Sequence, residues 1–341
     1  MAAIGIDTHK ATLAACVVDE LGGARAEQTF ANNPSGHTAL AAWASEHARG
    51  ATIGVEGSSS YGAPIARYLI AKGFAVREVP PGLSRRERMR TRRAGKSDPG
   101  DALAIARVTA REHDLPPVRM PDHSSDIALL VAAREDVVTE MIRVRNRLHA
   151  DLTILVPGYG ERVDNLVAIR HQRVASRLLR GLGGVQAELA RARLAKLRAL
   201  AHEERDLTER LEELVEGHPL LALPGVGVVT AAKLIGETGD VRRFRSPDAF
   251  AALAGVAPIP ASSGQTSRMR LNRGGNRQLN RAFYSIALAQ AWHHPPAKAY
   301  IERKRAEGKS WREAVRCLKR QLVRPVFRLL IEGSAASEMA A

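Results

Sequence analysis

The chain has 341 residues, 45% of them hydrophobic, which is enough to build the cores of two domains or of three small ones. Its 51 Lys and Arg against 36 Asp and Glu leave a net charge of +15, which indicates a polyanionic partner, with nucleic acid the first to consider. No apolar run approaches the roughly 18 to 20 residues of a membrane-spanning helix, and the N-terminus lacks a signal-peptide pattern, so we expect a cytoplasmic protein with no membrane partner.

The first 80 residues favour a mixture of strands and short helices. We predict two antiparallel strands within residues 3–18 and a third strand near residues 26–30. The elements that follow alternate: a helix over 34–43, a strand over 52–56, a helix over 61–71 and a strand over 74–79. A three-strand meander followed by alternating helices and strands is typical of the α/β RNase H-like folds, whose sheet mixes antiparallel and parallel strands.

The middle of the chain, from about residue 122 to residue 219, is predicted to form long helices. Leucines recur there among Arg, Glu and Ala at intervals of three, four, five and seven: Leu189, Leu194, Leu197, Leu200, Leu207, Leu211 and Leu214. This pattern favours an amphipathic or coiled-coil arm over a strict zipper. An interdomain spacer and a dimerisation arm are equally compatible with it. We divide the chain into an α/β domain (1–115), a helical arm (116–218), a mostly helical C-terminal domain (219–333) and a flexible tail (334–341).

Four acidic residues occupy positions that the predicted fold would bring together. Asp7 lies in the first strand, Glu56 ends the fourth, and Asp98 and Asp101 begin an Ala-rich helix. The first and fourth strands of an RNase H-like sheet are neighbours, and residues three apart share a helix face. Such carboxylates suit a hard cation such as Mg²⁺. Plain helix capping by Asp98 and Asp101, with Pro99 at the first helical position, is the alternative.

Two other interpretations of this segment are less well supported. Sugar kinases and actin-like ATPases also begin with a Gly-Ile-Asp strand, but they need a later phosphate-binding Asp-Gly turn, and we find no convincing one. Cys16 and Cys317 have no nearby Cys or His at metal-ligand spacing, which argues against a zinc finger or a disulfide framework.

The C-terminal third concentrates the positive charge, since residues 261–330 hold 16 Lys and Arg against three Glu. The segment Leu223-Pro-Gly-Val-Gly227 matches a helix-hairpin-helix turn, in which Gly lets the backbone approach a phosphate; a plain turn between packed helices is the alternative. Ser262-Ser263-Gly264 follows in a predicted loop among arginines, where a serine could attack a phosphodiester, although the tripeptide alone indicates only a solvated turn. The candidate nucleic-acid-binding residues are Gly225, Gly227, Lys233, Arg268, Arg270, Arg273, Asn276, Arg277 and Arg281.

In order and spacing these segments resemble the DEDD transposases of the insertion-sequence one-ten family and the related Piv-type DNA invertases. The resemblance runs from about Ile4 to Leu330. It is carried by Gly5-Ile-Asp7, Val55-Glu56, Lys96-Ser-Asp98-Pro-Gly-Asp101, Leu223-Pro-Gly-Val-Gly227, Ala254-Gly255, Pro258, Ser263-Gly264 and Gly275-Asn276.

The resemblance implies a transposase or site-specific recombinase that cuts and rejoins double-stranded donor and target DNA. It implies a RuvC-like N-terminal domain in which Asp7, Glu56, Asp98 and Asp101 bind Mg²⁺ or Mn²⁺. It also implies a C-terminal domain whose serine, here Ser263 with Ser262 and Ser267 as alternatives, becomes covalently linked to a DNA phosphate. A homo-oligomer, dimer or tetramer, with a site composed from two subunits is implied as well, together with a structured guide RNA from the element itself.

Two rival functions remain open at this stage. A metal-dependent, structure-specific nuclease such as a junction resolvase would use the same acids for hydrolysis and would not need the serine. A basic helical scaffold would bind nucleic acid without any chemistry, and its acids would bind no metal.

Overall fold

The computed structural model describes residues 2–90, 98–260, 269–270, 272 and 274–340. The chain divides into two compact units, residues 1–120 and residues 121–341. The first contains the predicted α/β domain (1–115) and the first five residues of the predicted arm. The second contains the rest of the predicted arm and the predicted C-terminal domain, whose helices pack together within it.

The described residues of the first unit form a mixed sheet flanked by helices. The strands are β1 (Ala3–Thr8), β2 (Thr12–Val18), β3 (Ala24–Ala31), β4 (Thr52–Val55) and β5 (Val76–Glu78). The helices are α1 (Pro34–His47), α2 (Ala63–Ala71), α3 (Pro81–Arg90) and α4 (Asp98–Arg111). The strand order is β3-β2-β1-β4-β5; β1 is antiparallel to β2 and parallel to β4, and β5 is parallel to β4. This is the RNase H-like arrangement, so the predicted fold class is confirmed, as is the pairing of the first and fourth strands.

Both faces of the sheet are covered because side chains alternate along each strand. Ile4 and Ile6 of β1 belong to a core shared with α1 and α2. Ala14 and Cys16 of β2 belong to a second core shared with α4. The sheet therefore lies between two helical layers, and α4 is the helix on the second face.

The second unit is mostly helical. Its described helices are α5 (His123–Leu155), α6 (Ile169–Leu178), α7 (Val185–Val215), α8 (Val228–Thr238), α9 (Pro247–Leu253), α10 (Arg277–His293), α11 (Pro295–Ala306) and α12 (Trp311–Ala340). Two short strands, β6 (Ile259–Pro260) and β7 (Met269–Arg270), pair antiparallel. Among the helices that the structure describes, none is both long and apolar enough to cross a membrane.

The long helices α5 and α7 form an antiparallel hairpin. Leu194 and Leu197 of α7 are buried against Leu148 and Leu152 of α5. Ion pairs along the hairpin join Arg134 to Glu204, Glu140 to Lys196 and Asp151 to Arg193, and this order runs in opposite directions on the two helices. Leucines of the predicted arm thus pack against another helix of the same chain.

The C-terminal helices α8 to α12 enclose the largest described core of the second unit. Phe250 of α9 lies at its centre and contacts Phe283 of α10 and Phe327 of α12, with ring centroids 6.0 and 5.8 Å away. Helix α12 continues to Ala340, so the segment from residue 334, which the sequence led us to expect as a flexible tail, is helical as far as residue 340. Its alanines are strong helix formers, which accounts for the difference.

Candidate active site

Asp7 and Glu56 are neighbours at one edge of the sheet. The parallel register of β1 and β4 ends at the pair Ile6 and Val55, and Asp7 and Glu56 each come one residue later. The backbone N–H of Glu56 donates to Ile6 O at 3.2 Å, and Thr8 Oγ1 donates to Glu56 O at 2.8 Å. The carboxyl ends of two parallel strands therefore present two acids side by side.

Helix α4 approaches this edge because two glycines leave room for it. Gly5 and Gly54 are register partners on β1 and β4. A Cβ at Gly5 would overlap the backbone of Ala102 and Ala106 of α4, and a Cβ at Gly54 would overlap Thr109 of the same helix. Asp7 lies two residues after Gly5 on β1, hence on the face that α4 covers.

Asp101 is thereby brought to the same face of the sheet, directly before Ala102. Its side chain is 5% exposed, and its Oδ1 forms an ion pair with Arg88 Nη1 of α3 at 2.8 Å. Asp98 begins α4, as predicted, and its side chain lies outside the described residues.

Asp7 and Glu56 are held in different ways. His9 Nε2 lies 3.2 Å from Asp7 Oδ2, and the Asp7 carboxylate is almost fully buried. Glu56 Oε2 is buried without a hydrogen-bond partner among the described residues. Buried carboxylate oxygens are nearly always satisfied, so this one indicates a missing donor or cation.

Glu78 is a neighbouring acid that the sequence analysis missed. It ends β5 as the register partner of Val55, next to the strand that leads into Glu56. Glu78 Oε2 accepts hydrogen bonds from Ser58 N, at 3.1 Å, and from Ser58 Oγ. Burial raises the pKa of Glu78, and the nearby charge of Glu56 adds to the effect. An acid at the end of a third parallel strand was the available signal, because the carboxyl ends of parallel strands meet at one edge.

Asp7 and Glu56 therefore lie side by side at one edge of the sheet, and Asp101 lies on the helix that covers the same face. Within the part of the chain that the structure describes, no group of three or more His, Cys, Asp or Glu side chains is positioned to hold a metal ion. Metal binding by Asp7, Glu56, Asp98 and Asp101 stays a prediction. The side chain of Asp98 lies outside the described residues.

The predicted helix-hairpin-helix turn connects a 3-10 turn at Pro219–Ala222 to α8. Gly225 adopts a φ of +84°, which favours glycine, and a Cβ there would press on Ile286 and Ala289 of α10. Gln290 Nε2 of α10 donates to Pro224 O at 2.7 Å. Gly227 is the N-cap of α8 and has no described atom within 4 Å of an added Cβ. Gly225 is thus required by internal packing, whereas Gly227 has free space around its Cα among the described residues. Phosphate binding at this turn stays a prediction.

Lys233 and Glu135 form a buried ion pair between α8 and α5. Lys233 is 8% exposed. Gln278 Nε2 of α10 also donates to Glu135, at 2.6 Å. Burial raises the pKa of Glu135, but these partners outweigh it and hold the pKa below its ordinary value. A phosphate would have to break this network to reach Lys233. Contact between Lys233 and nucleic acid therefore stays a prediction without structural support.

Asn276 has a structural role that its sequence context did not indicate. It caps α10 by accepting from Gln278 N and Leu279 N, and its Nδ2 donates to Glu237 Oε2 at 2.6 Å. Arg277 and Arg281 are exposed on α10 and are accessible to a nucleic-acid backbone.

Three asparagines spaced four residues apart fasten the end of α9 to the segment that leads into α10. Asn272 Nδ2 donates to Ala252 O at 3.0 Å, Asn276 N to Leu253 O at 2.6 Å, and Asn280 Nδ2 to Gly255 O at 2.8 Å. Lys319 Nζ of α12 in turn donates to Asn280 Oδ1 at 2.6 Å. This asparagine clamp joins the two chain segments that flank the β6–β7 pair.

The predicted serine loop lies between β6 and β7, and it is outside the described residues. This applies to Ser262, Ser263, Ser267, Arg268 and Arg273. Arg270 is placed on β7, with its side chain likewise outside the description.

Fold and site together define an RNase H-like protein with acids at the carboxyl edge of its parallel strands, joined in one chain to a basic helical unit. A family model described as Transposase matches residues 4–157, and a model described as Transposase IS116/IS110/IS902 family matches residues 217–302. The chain belongs to this insertion-sequence transposase family, and it is a DNA transposase or recombinase.

Several relatives match over most of their length. The insertion element IS110 43.6 kDa protein of Streptomyces coelicolor is 30% identical over 70% of this chain and 71% of that protein. The insertion element IS900 42 kDa protein of Mycobacterium paratuberculosis is 29% identical over 96% of this chain and 94% of its own. The pilin gene-inverting protein of Moraxella bovis is 27% identical over 94% of this chain and 92% of that protein.

Among solved structures, the first unit is similar to T. thermophilus RuvC in complex with a Holliday junction substrate. The likeness covers 34% of this chain and 99% of that chain at 17% identity, with a TM-score of 0.28. The strand order β3-β2-β1-β4-β5 is by itself that of an RNase H-like fold.

Proposed function

We propose that this transposase cuts and rejoins DNA strands with a divalent metal held by Asp7, Glu56, Asp98 and Asp101 and with a serine that forms a transient bond to DNA. The observation that carries the metal site is the adjacency of Asp7 and Glu56 at the ends of two paired parallel strands, under the helix that begins at Asp98. The unpartnered buried oxygen of Glu56 and the all-carboxylate donor set suit a hard cation such as Mg²⁺ or Mn²⁺.

Each acid has a distinct part in this site. When bound, the metal supplies positive charge that offsets the charge building up on the attacked phosphate. His9 orients the Asp7 carboxylate through the 3.2 Å contact. The ion pair from Arg88 balances the charge of the buried Asp101 carboxylate. Glu56 keeps one oxygen available for coordination.

The covalent step is assigned to Ser263 on the family resemblance and on its position before Gly264 among arginines. Its Oγ forms a bond to phosphorus while the bond from phosphorus to one deoxyribose oxygen breaks, and the hydroxyl proton neutralises the released oxygen. Reversal of the step by another strand's hydroxyl rejoins DNA without ATP, because the phosphoester bond is conserved. The asparagine clamp supports this proposal, since it anchors both segments that flank the serine loop.

The partners follow from charge and family. Double-stranded DNA is the substrate, and Arg268, Arg270, Arg273, Arg277 and Arg281 are proposed to contact its phosphates together with the turn at Gly225 and Gly227. A structured guide RNA from the element and a homo-oligomeric assembly are proposed on the resemblance alone.

The test is a strand-exchange assay with the element's DNA ends and RNA in the presence of Mg²⁺, followed by denaturing electrophoresis for a protein–DNA adduct. Asp7→Asn and Glu56→Gln are expected to abolish exchange and adduct while duplex binding remains. Glu46→Gln, which removes an exposed acid on α1, is the matched control and is expected to behave as the parent.

The serine is tested in the same assay. Ser263→Ala is expected to bind DNA but to give neither adduct nor recombinant. Cleavage at the full rate by this variant would identify a hydrolytic nuclease instead. An adduct that maps to Ser262 or Ser267 would move the nucleophile. Unchanged metal affinity of the Asp7 and Glu56 variants, measured by calorimetry, would contradict the metal site.

A further inference from the structure

Helix α12 carries arginines at every fourth position over much of its length. These residues, which we call the arginine ridge, are Arg312, Arg316, Arg320, Arg324 and Arg328. Residues four apart form a continuous row, inclined about 26° to the helix axis. At a rise of about 1.5 Å per residue, the ridge extends for about 24 Å along the helix.

The ridge is presented to solvent by a helix that is firmly anchored. The opposite side of α12 contributes Leu318, Leu322 and Val326 to the main core of the second unit. Arg312, Arg316, Arg324 and Arg328 are exposed, and Arg320 is partly buried. The guanidinium groups are thus displayed on a rigid element, so ordering them costs less entropy than ordering a loop would.

Two residues of the ridge form ion pairs with described acids. Arg320 pairs with Asp248 and Arg328 with Glu332 at 3.4 Å. Arg312, Arg316 and Arg324 form no ion pair with any residue that the structure describes. Their charge is therefore available to a ligand.

Comparison with α7 shows that this charge pattern is not simply that of a solvated helix. Over its 31 residues, α7 has six Lys and Arg against seven Asp and Glu. Over its 30 residues, α12 has six Lys and Arg against three Glu. Two of these, Glu332 and Glu338, follow the ridge, and Glu313 accepts hydrogen bonds from Ser310 at the helix start. Surface helices without a charged ligand ordinarily mix both signs.

We propose that the arginine ridge binds the phosphate backbone of duplex DNA, independently of base sequence. The ridge spreads its guanidinium groups over about 24 Å of helix, and each strand of a duplex has one phosphate per about 3.4 Å of axis, so several phosphates face a length of the ridge. Trp311 is the one exposed aromatic side chain among the described residues of α12, so the helix has no series of aromatic platforms on which successive bases of a single strand would stack. The proposal rests on the proposed function only in taking DNA as the ligand.

The test measures binding of a short mixed-sequence duplex by fluorescence anisotropy, in EDTA and without guide RNA, over a range of salt concentrations. The test variant is Arg316→Gln with Arg324→Gln. The control is Arg205→Gln with Arg210→Gln, which removes the same charge from exposed positions on α7. Thermal melting checks that both variants fold as the parent does.

Each phosphate contact contributes about 0.9 to the slope of log affinity against log salt, so the ridge variant is expected to lose about two units of slope and the control none. Equal slopes for parent and ridge variant, or an equal loss in the control, would overturn the proposal. So would a loss seen with an RNA hairpin and not with duplex DNA. Binding in EDTA is measured without any metal-dependent chemistry. Failure of the strand-exchange mechanism would therefore leave this binding result unchanged, whereas failure of the ridge proposal would appear in the salt slope itself.

Discussion

Gly5 is the residue on which the close approach of α4 to the sheet most directly depends. A side chain there would overlap the backbone of α4 at Ala102 and Ala106. We expect Gly5→Ala to destabilise the first unit by about 1 to 3 kcal/mol, as overpacked cores do. Since α4 would be pushed off the sheet, strand exchange should also be lost although Asp7, Glu56, Asp98 and Asp101 all remain. Urea unfolding followed by fluorescence, with Trp43 reporting on this unit, measures the first effect.

The control for that prediction is Gly82→Ala in α3. Gly82 has no described atom within 4 Å of an added Cβ, so alanine should fit there and leave both stability and activity near those of the parent. Full activity of Gly5→Ala would show that α4 tolerates displacement and that the acids do not require its present position.

Lys319 carries a buried ammonium group, which is expected to make the stability of the protein depend on pH. It is 8% exposed, and burial lowers its pKa from 10.5 to about 8. Between these two values the unfolded chain keeps a proton that the folded chain has lost, so the free energy of unfolding rises with pH in this window. The gain is at most about 3 kcal/mol, at about 1.36 kcal/mol per pKa unit.

The measurement is urea unfolding of the parent and of Lys319→Met from pH 7.5 to pH 10. The parent should gain stability relative to the variant as the pH rises through about 8. Lys298→Met, which alters an exposed lysine on α11, should leave the pH dependence of the parent unchanged. A constant difference between the parent and Lys319→Met would mean that the folded and unfolded states of Lys319 titrate alike.

Because of the α5–α7 hairpin, we expect leucines of one helix to differ sharply in how much they contribute to the stability of the fold. Leu194 is buried against α5, whereas Leu189, five residues earlier in α7, is 48% exposed. Leu194→Ala is expected to cost about 2 to 5 kcal/mol, as core truncations do, and Leu189→Ala less than about 0.5 kcal/mol. Chemical denaturation followed by circular dichroism compares the two. A large cost for Leu189→Ala that depends on protein concentration would instead indicate a helix-mediated dimer.

The elements also show which parts of the fold were predictable from the sequence. The strands and helices of the first unit follow from local alternation and turn residues, except α3, which the sequence analysis did not predict. The adjacency of Asp7 and Glu56 follows once the strand order is assumed. The leucines of α7 could not be assigned a partner, because spacing alone does not distinguish a neighbouring helix of the same chain from one of another chain.

Side-chain roles that depend on distant segments were not predictable. Asn276 was expected to bind nucleic acid, but the structure gives it a helix cap and a bond to Glu237. Lys233 was expected at a phosphate and is paired with Glu135, 98 residues away in sequence. Glu78 was missed because its place beside Glu56 depends on the register of β4 with β5.

At the scale of the whole molecule, charge is distributed unequally between the two units. Residues 121–341 contain 35 Lys and Arg against 24 Asp and Glu, a net charge of +11, whereas residues 1–120 contain 16 against 12, a net charge of +4. The acids of the candidate site all belong to the less basic unit. The proposed metal site therefore belongs to residues 1–120, whereas the proposed nucleophile Ser263 and most of the proposed phosphate contacts belong to residues 121–341.

This division predicts the behaviour of the two units when each is expressed alone. Each has hydrophobic cores of its own, so both are expected to fold, with a mixed circular dichroism spectrum for residues 1–120 and a helical one for residues 121–341. Residues 121–341 should keep most of the salt-dependent affinity of the full chain for duplex DNA, since electrostatic binding scales with the phosphates neutralised. Residues 1–120 should bind far more weakly, while still binding Mg²⁺ through their acids. A steeper salt slope for residues 1–120 than for residues 121–341 would contradict the assignment and would direct attention to the arginines of α3 as the principal DNA contact.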